Sequence, residues 1–228
     1  MWDQNYKHNL CIRKTLENIV ATYNGNRNNE DFEKFMTYTK KVWFSNGIHH
    51  HYSTEKFIPD FSKDYFVELI KNSSSENLPL MDNESAEDLI NKLIPIIFDK
   101  NIDNKRVNLD ASKDLIKASA NNFYEGISQA EAEKFYTDNT DVSDKEPVSA
   151  GMNSKLVKEN GEIKEKVWKV NGMYSSAIEK IVFWLEKAIE VSESGKQKAA
   201  LKKLIEFYKT GNLKTFDEYN KLWLKDTE

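Results

Sequence analysis

Helical spacing of apolar residues runs through this chain and breaks in one place. From Lys155 to Val170 the residues read KLVKENGEIKEKVWKV, partly alternating apolar and polar around Asn160-Gly161. Asn-Gly between alternating runs is the strongest short-range signal for a β-hairpin, because both central turn positions want positive φ. A lone two-stranded hairpin is marginal in water and needs more strands or a helical cover. No other run reads convincingly as a third strand. Either helices cover the hairpin, or its partner strands lie beyond Glu228. The expected class is therefore α+β and predominantly α-helical, with helices around a small hairpin at residues 154–170.

The helices follow from apolar residues recurring every three or four positions. Asp3 can cap a first helix that carries Leu10, Ile12, Leu16, Ile19, Val20 and Tyr23 and ends at Asn24-Gly25-Asn26. A second begins near Glu30, with Phe32, Phe35, Met36, Thr39, Val42 and Trp43 on its apolar stripe, and Asn46-Gly47 stops it. A short helix spans roughly 63–71. Another spans about 85–99, and Pro95 should kink it or end its regular part. Residues 100–127 give no clear period. Ser128-Gln129-Ala130-Glu131 is a capping box that opens a helix to about Thr137.

After a polar connecting loop at 138–153 and the hairpin come three closing helices, over 175–193, 196–209 and 215–225. Trp168, Phe183, Trp184, Phe207 and Trp223 sit mostly at core spacing in this region. The organisation expected is a single, incomplete domain. Residues 1–137 form a helical part, 138–153 a connecting loop, and 154–228 the hairpin with three helices.

Charge narrows the partners. The chain has 33 basic and 37 acidic residues, mixed along its length, for a net charge of -4. No basic arm or stripe points to nucleic acid. The longest apolar run, Leu93 to Phe98, is far short of the roughly 20 residues of a membrane span. Met1-Trp2-Asp3-Gln4 does not open a signal peptide. A cytoplasmic location is expected, or a periplasmic one if a removed signal precedes this segment. Cys11 is the single cysteine, so no internal disulfide can form. It reads as a small apolar residue on a helix. His8, three residues away, supplies only a suggestive base for a thiolate nucleophile.

Motifs for self-sufficient chemistry are missing. There is no G-x-S-x-G, no phosphate-binding glycine loop and no H-E-x-x-H. Glu131/Glu133 and Glu186/Glu190 sit on faces expected to be solvated. The segment that stands out is WFSNGIHHHYSTEKFIP, residues 43–59, with three consecutive histidines between a turn signal and a proline. On a helix, neighbours diverge by about 100°, so His49, His50 and His51 cannot converge on one ion. On a strand, His49 and His51 share a face, giving two ligands where zinc wants three or four. Three readings stay open: a hydrogen-bonding loop, a ligand-facing wall and a metal site. Trp43, Phe44 and Tyr52 around the histidines make the one cluster that resembles a recognition surface.

Three segments then carry a likeness: WFSNGIHHHYSTEKFIPDF at 43–61, GMNSKLVKENGEIKEKVWKV at 151–170 and TFDEYNKLWLKDT at 215–227. In this order they resemble the dipeptidyl peptidase III family, its bacterial branch above all. The resemblance implies a two-lobed zinc exopeptidase that removes dipeptides from peptide N-termini. In that family zinc is held by an H-E-x-x-x-H helix and an E-E-C-x-A-[DE] type motif. Neither is present here, and both lie C-terminal to the region matched.

By this resemblance the chain is the N-terminal, lower-lobe portion of the enzyme, without catalytic residues, metal ligands or bound zinc. Its hairpin would belong to the lower-lobe β-barrel. Its partners would be the oligopeptide substrate and the C-terminal zinc-bearing part of the same polypeptide, with neither nucleic acid nor a membrane span. The resemblance also implies that the segment from Asn46 to Phe57 approaches the cleft. It makes Tyr52 a substrate contact, with His51 and Asn46 beside it. Some family members lack the histidines before the aromatic position. The competing reading is an autonomous helical module whose WFSNGIHHHY turn binds a peptide or small ligand without catalysis.

Overall fold

The computed structural model describes residues 7–141 and 143–226. Its class is α+β and mostly helical, with eight helices and a three-stranded sheet among these residues. The chain divides into two compact units, Met1–Asn122 and Phe123–Glu228. The second begins ahead of the 138–153 loop.

The first unit holds α1 (Asn9–Thr22), α2 (Glu30–Ser45), α3 (Lys63–Lys71) and α4 (Ala86–Phe98). The expected cap at Asp3 lies outside the described residues. Each later helix opens on a side chain that accepts a backbone N–H from its first turn, satisfying one of the donors a helix start leaves over. Asn29 accepts from Phe32, Ser62 from Tyr65, and Ser85 from Asp88 in a reciprocal capping box. Ile12, Leu16, Phe35, Val42, Phe66, Leu69, Leu89, Leu93 and Ile97 are buried in one core. Phe61, from the α2–α3 loop, sits inside it. It meets Phe35, Tyr38 and Phe98 edge-on at ring separations of 5.8, 5.9 and 5.7 Å, the arrangement that aligns ring edge with ring face.

The helix expected over about 85–99 is present, and Pro95 does not end it, since the helix runs on to Phe98 and Asp99 N–H still bonds the Pro95 carbonyl. Four apolar neighbours, Leu89, Leu93, Ile96 and Ile97, hold that turn on the core. On α2, Trp43 is not on the core stripe. That stripe is Phe35, Tyr38, Thr39 and Val42, and Trp43, about 100° further round, is 36% exposed.

In the second unit the order is β1 (Tyr124–Glu125), α5 (Gln129–Asp138), β2 (Ser154–Glu159), β3 (Glu162–Val167), α6 (Ser175–Glu190), α7 (Gly195–Thr210) and α8 (Leu213–Leu224). The hairpin forms where Asn-Gly demands it. Asn160 and Gly161 both take positive φ, 51° and 85°, and Glu159 faces Glu162 across the two-residue turn. A third strand does exist. β1 pairs parallel to β2, with Tyr124 opposite Leu156 and Glu125 opposite Val157. Two residues carry no alternation, which is why the sequence hid it. The expected capping box at α5 is present, with Ser128 and Glu131 bonding each other's backbone N–H.

The helices α6 and α7 share a small core of Ile178, Val182 and Ile205, with Trp168, Leu185, Ile189 and Tyr208 packed on it. Three aromatics expected at core positions are not there. Phe183 is 51%, Trp184 68% and Trp223 50% exposed, while Phe207 is buried. On α6 the inward row is Ile178, Val182, Leu185 and Ile189, and Trp184 projects from nearly the opposite side. No helix among the described residues is long and apolar enough to cross a membrane.

Candidate functional site

The histidine segment leaves α2 at Asn46, whose backbone takes the left-handed conformation, φ 57° and ψ 34°. Asn tolerates that geometry better than most residues, and the Asn46 and Gly47 N–H groups close the helix on the carbonyls of Trp43 and Val42. Asn9 of α1, itself buried, accepts the Ile48 N–H through Oδ1 at 3.2 Å. The chain then turns back on itself. His50 N–H reaches the Glu55 carbonyl at 2.8 Å, Phe57 N–H the Ile48 carbonyl at 2.8 Å, and Lys56 N–H the Asn104 carbonyl at 2.9 Å. A short two-sided loop results, laid against residues 103–107.

Within it the three histidines part company. His49 is buried, 2% exposed, and its Nε2 donates to the Asp103 carbonyl at 2.7 Å. A carbonyl can only accept, so the proton on that nitrogen is fixed. Nδ1 of His50 accepts the Tyr52 and Ser53 N–H groups, both at 3.2 Å, so this ring shapes the turn. His51 lies over His50 with ring centres 4.7 Å apart and near-parallel planes. It meets Phe44 edge-on at 5.0 Å and Tyr52 at 4.3 Å, and its Nδ1 is 3.2 Å from Ser45 Oγ. Ser45 is 7% exposed in the last turn of α2, and the contact orients the imidazole.

No group of three His, Cys, Asp or Glu among the described residues is arranged to hold a metal ion. The described residues therefore do not fit a zinc site, and no step through zinc follows from them. Burial raises the Cys11 thiol and lowers the His8 imidazolium. A thiol shifted that way carries less thiolate near neutral pH.

What the loop does build is a groove of about 490 Å³ between itself and α2, within the range of small-ligand sites. Phe44, His50, His51 and Phe57 line it on one part and Thr37, Lys40, Lys41 and Ser45 of α2 on another, with Lys40 and Lys41 exposed. Of the residues expected at a site, His51 lines this groove. Tyr52 stands beside it, ring against His51 and 84% exposed, and Asn46 holds the preceding turn. Lys40 and Lys41 were missed. The signal that could have found them is the stripe Thr37, Lys41, Phe44 at helical spacing, continued by Lys40, which faces the loop and not the core.

Residues 102–228 match the family model of peptidase family M49, over more than half of the chain. The chain belongs to peptidase family M49. This is a metallopeptidase family, that of dipeptidyl peptidase III. The M49 match takes in the whole second unit and two of the three segments that carried the resemblance. The histidine loop at 43–61 lies outside it. No curated protein matches the chain.

Proposed function

We propose that this M49 chain is the non-catalytic N-terminal portion of a zinc-dependent dipeptidyl peptidase and forms one wall of its substrate cleft. The observation that carries the reading is the M49 match over 102–228. The parent enzyme, of the bacterial branch, releases dipeptides from peptide N-termini. Zinc belongs to another part of the same polypeptide, which is the partner this chain requires.

The contribution of these residues is binding and placement. Tyr52 offers an exposed aromatic face at little conformational cost, with only two side-chain torsions to fix. His51 and Asn46 extend the contact on either side of the turn. A wall of this kind positions a peptide and helps exclude water as a cleft closes on it.

Calorimetric titration of the 228-residue chain with an oligopeptide, paired with an assay for dipeptide release, tests this. The chain is expected to bind the peptide and release no dipeptide. Tyr52→Ala should weaken binding about tenfold, the scale of a central aromatic contact. Mixing with a zinc-bearing C-terminal part should restore release. Dipeptide release by the pure chain, or no peptide binding, would overturn the reading. Peptide binding with no release under any pairing would favour an autonomous binding module.

A further inference from the structure

The groove beside the histidines carries two adjacent lysines, Lys40 and Lys41, and no carboxylate in its lining. About half of the described lysines are paired with a carboxylate and others are not. On α2 itself Lys34 is held by Glu30 one turn earlier at 2.7 Å. Further along the chain, Lys92 pairs with Glu84 and Lys214 with Asp144, at 2.5 and 2.8 Å. Lys40 and Lys41 form no ion pair with any described residue. The positions one turn before them are Met36 and Thr37, and one turn after them Phe44 and Ser45, so the helix supplies no acid within reach. In a chain of net charge -4, two adjacent exposed cations are left uncompensated in the lining of the groove.

The aromatic part of the lining adds a second, independent feature. Phe44, His50, His51 and Phe57 are joined by ring contacts of 5.0, 4.7 and 5.9 Å, and no carboxylate lines the groove. Phe44 is 79% exposed, a cost in water that an apolar group laid on it would remove. A ligand matched to this surface needs an apolar portion for the rings and an anionic group for the lysines.

We propose that the groove selects acidic oligopeptides. An Asp or Glu side chain of the peptide is held by Lys40 and Lys41, and a neighbouring apolar side chain packs on Phe44, His50 and Phe57. This rests on the peptide-binding reading above and gives it a substrate class. The lysines act at long range on encounter and at short range on selection. Each exposed charge pair contributes modestly, so the pair of lysines should favour an acidic over a neutral peptide by roughly 3- to 10-fold.

Three pentapeptides that differ only in a central Glu, Gln or Lys provide the test, titrated calorimetrically into the chain at low and high salt. The Glu peptide should bind tightest and the Lys peptide weakest, and the preference should shrink as salt rises. The double variant Lys40→Gln/Lys41→Gln should abolish the Glu-over-Gln preference. Lys40→Glu/Lys41→Glu should turn the preference toward the Lys peptide. Both lysines are exposed, so the variants should fold, and circular dichroism checks this. Equal binding of Glu and Gln peptides, or a preference that survives the double variant, overturns the acidic-peptide proposal and leaves the peptide-binding reading standing. Failure of all three peptides to bind overturns both.

Discussion

Lys56 Nζ stands 2.8 Å from the carbonyl oxygen of Ile96, and the same ammonium donates to the Asp99 and Ile102 carbonyls. One side chain of the histidine loop thus satisfies acceptors that α4 leaves over at its C-terminus. The cation also sits where the helix dipole is negative. Burial lowers the Lys56 pKa, partly offset by Asp103 and Asp99, so the ammonium is held at some cost. Lys56→Met keeps the stem and removes the donors. It should destabilise the chain by about 1.5–3 kcal/mol, the scale of hydrogen bonds to a charged group, read as a lower urea midpoint with an unchanged slope.

A separate expectation concerns the junction of α7 and α8. Gly211 has φ +72°, and a Cβ there would lie 2.4 Å from Val167 Cγ1. Gly161 has φ +85° with nothing within 4 Å. Gly161→Ala should cost about 1–2 kcal/mol, the left-handed penalty alone. Gly211→Ala must add the cost of moving a packed valine, about 1–3 kcal/mol more. Thermal melts of the two variants should differ in that order, and equal losses would contradict the packing around Val167.

The α5 capping box should be visible in pH. Lys158 and the Ser128 groups hold the Glu131 carboxyl down, to about 2 from an ordinary 4.5. A carboxylate depressed by folding stabilises the fold at pH above its unfolded value, and that contribution disappears as pH falls through the folded one. The window is therefore about 4.5 down to about 2. Carboxyl chemical shifts followed by NMR should show Glu131 titrating near the lower end. Glu131→Gln should flatten stability against pH across that window, and a Glu131 midpoint above 4 would contradict the Lys158 contact.

Two aromatics of the second unit should differ sharply in their response to truncation. Phe207 is buried and its ring centre lies 4.8 Å from that of Phe216, so Phe207→Ala should cost about 3–5 kcal/mol. Trp184 is 68% exposed, and Trp184→Ala should stay within about 0.5 kcal/mol. Denaturant unfolding of the two variants measures this directly.

Legibility of the chain divides along physical lines. Periodic signals were readable: α3 falls on its expected residues, the Ser128 box opens α5, and Asn160-Gly161 turns the hairpin. These depend on local backbone chemistry, which sequence carries directly. What depended on tertiary placement was not readable. β1 is two residues recruited by Leu156 and Val157, and Trp184 faces outward because its neighbours at 182 and 185 face in. Of the aromatic cluster read around the histidines, Phe44 lines the groove, while Trp43 and Tyr52 do not and Phe57 does in their place. The lysines were not evident, because nothing in a sequence says which exposed charges lack a partner. The separation of His49, His50 and His51 into a buried anchor, a turn former and a groove wall likewise follows from hydrogen bonds to Asp103, Tyr52 and Ser53.

The hairpin tip offers one practical opening. With Asn160 and Gly161 exposed and open space around Gly161, that turn is a foothold for a reporter. Exposed tips of this kind tolerate inserted sequence, so a fluorophore or small tag can be seated between β2 and β3, where the hairpin meets open solvent.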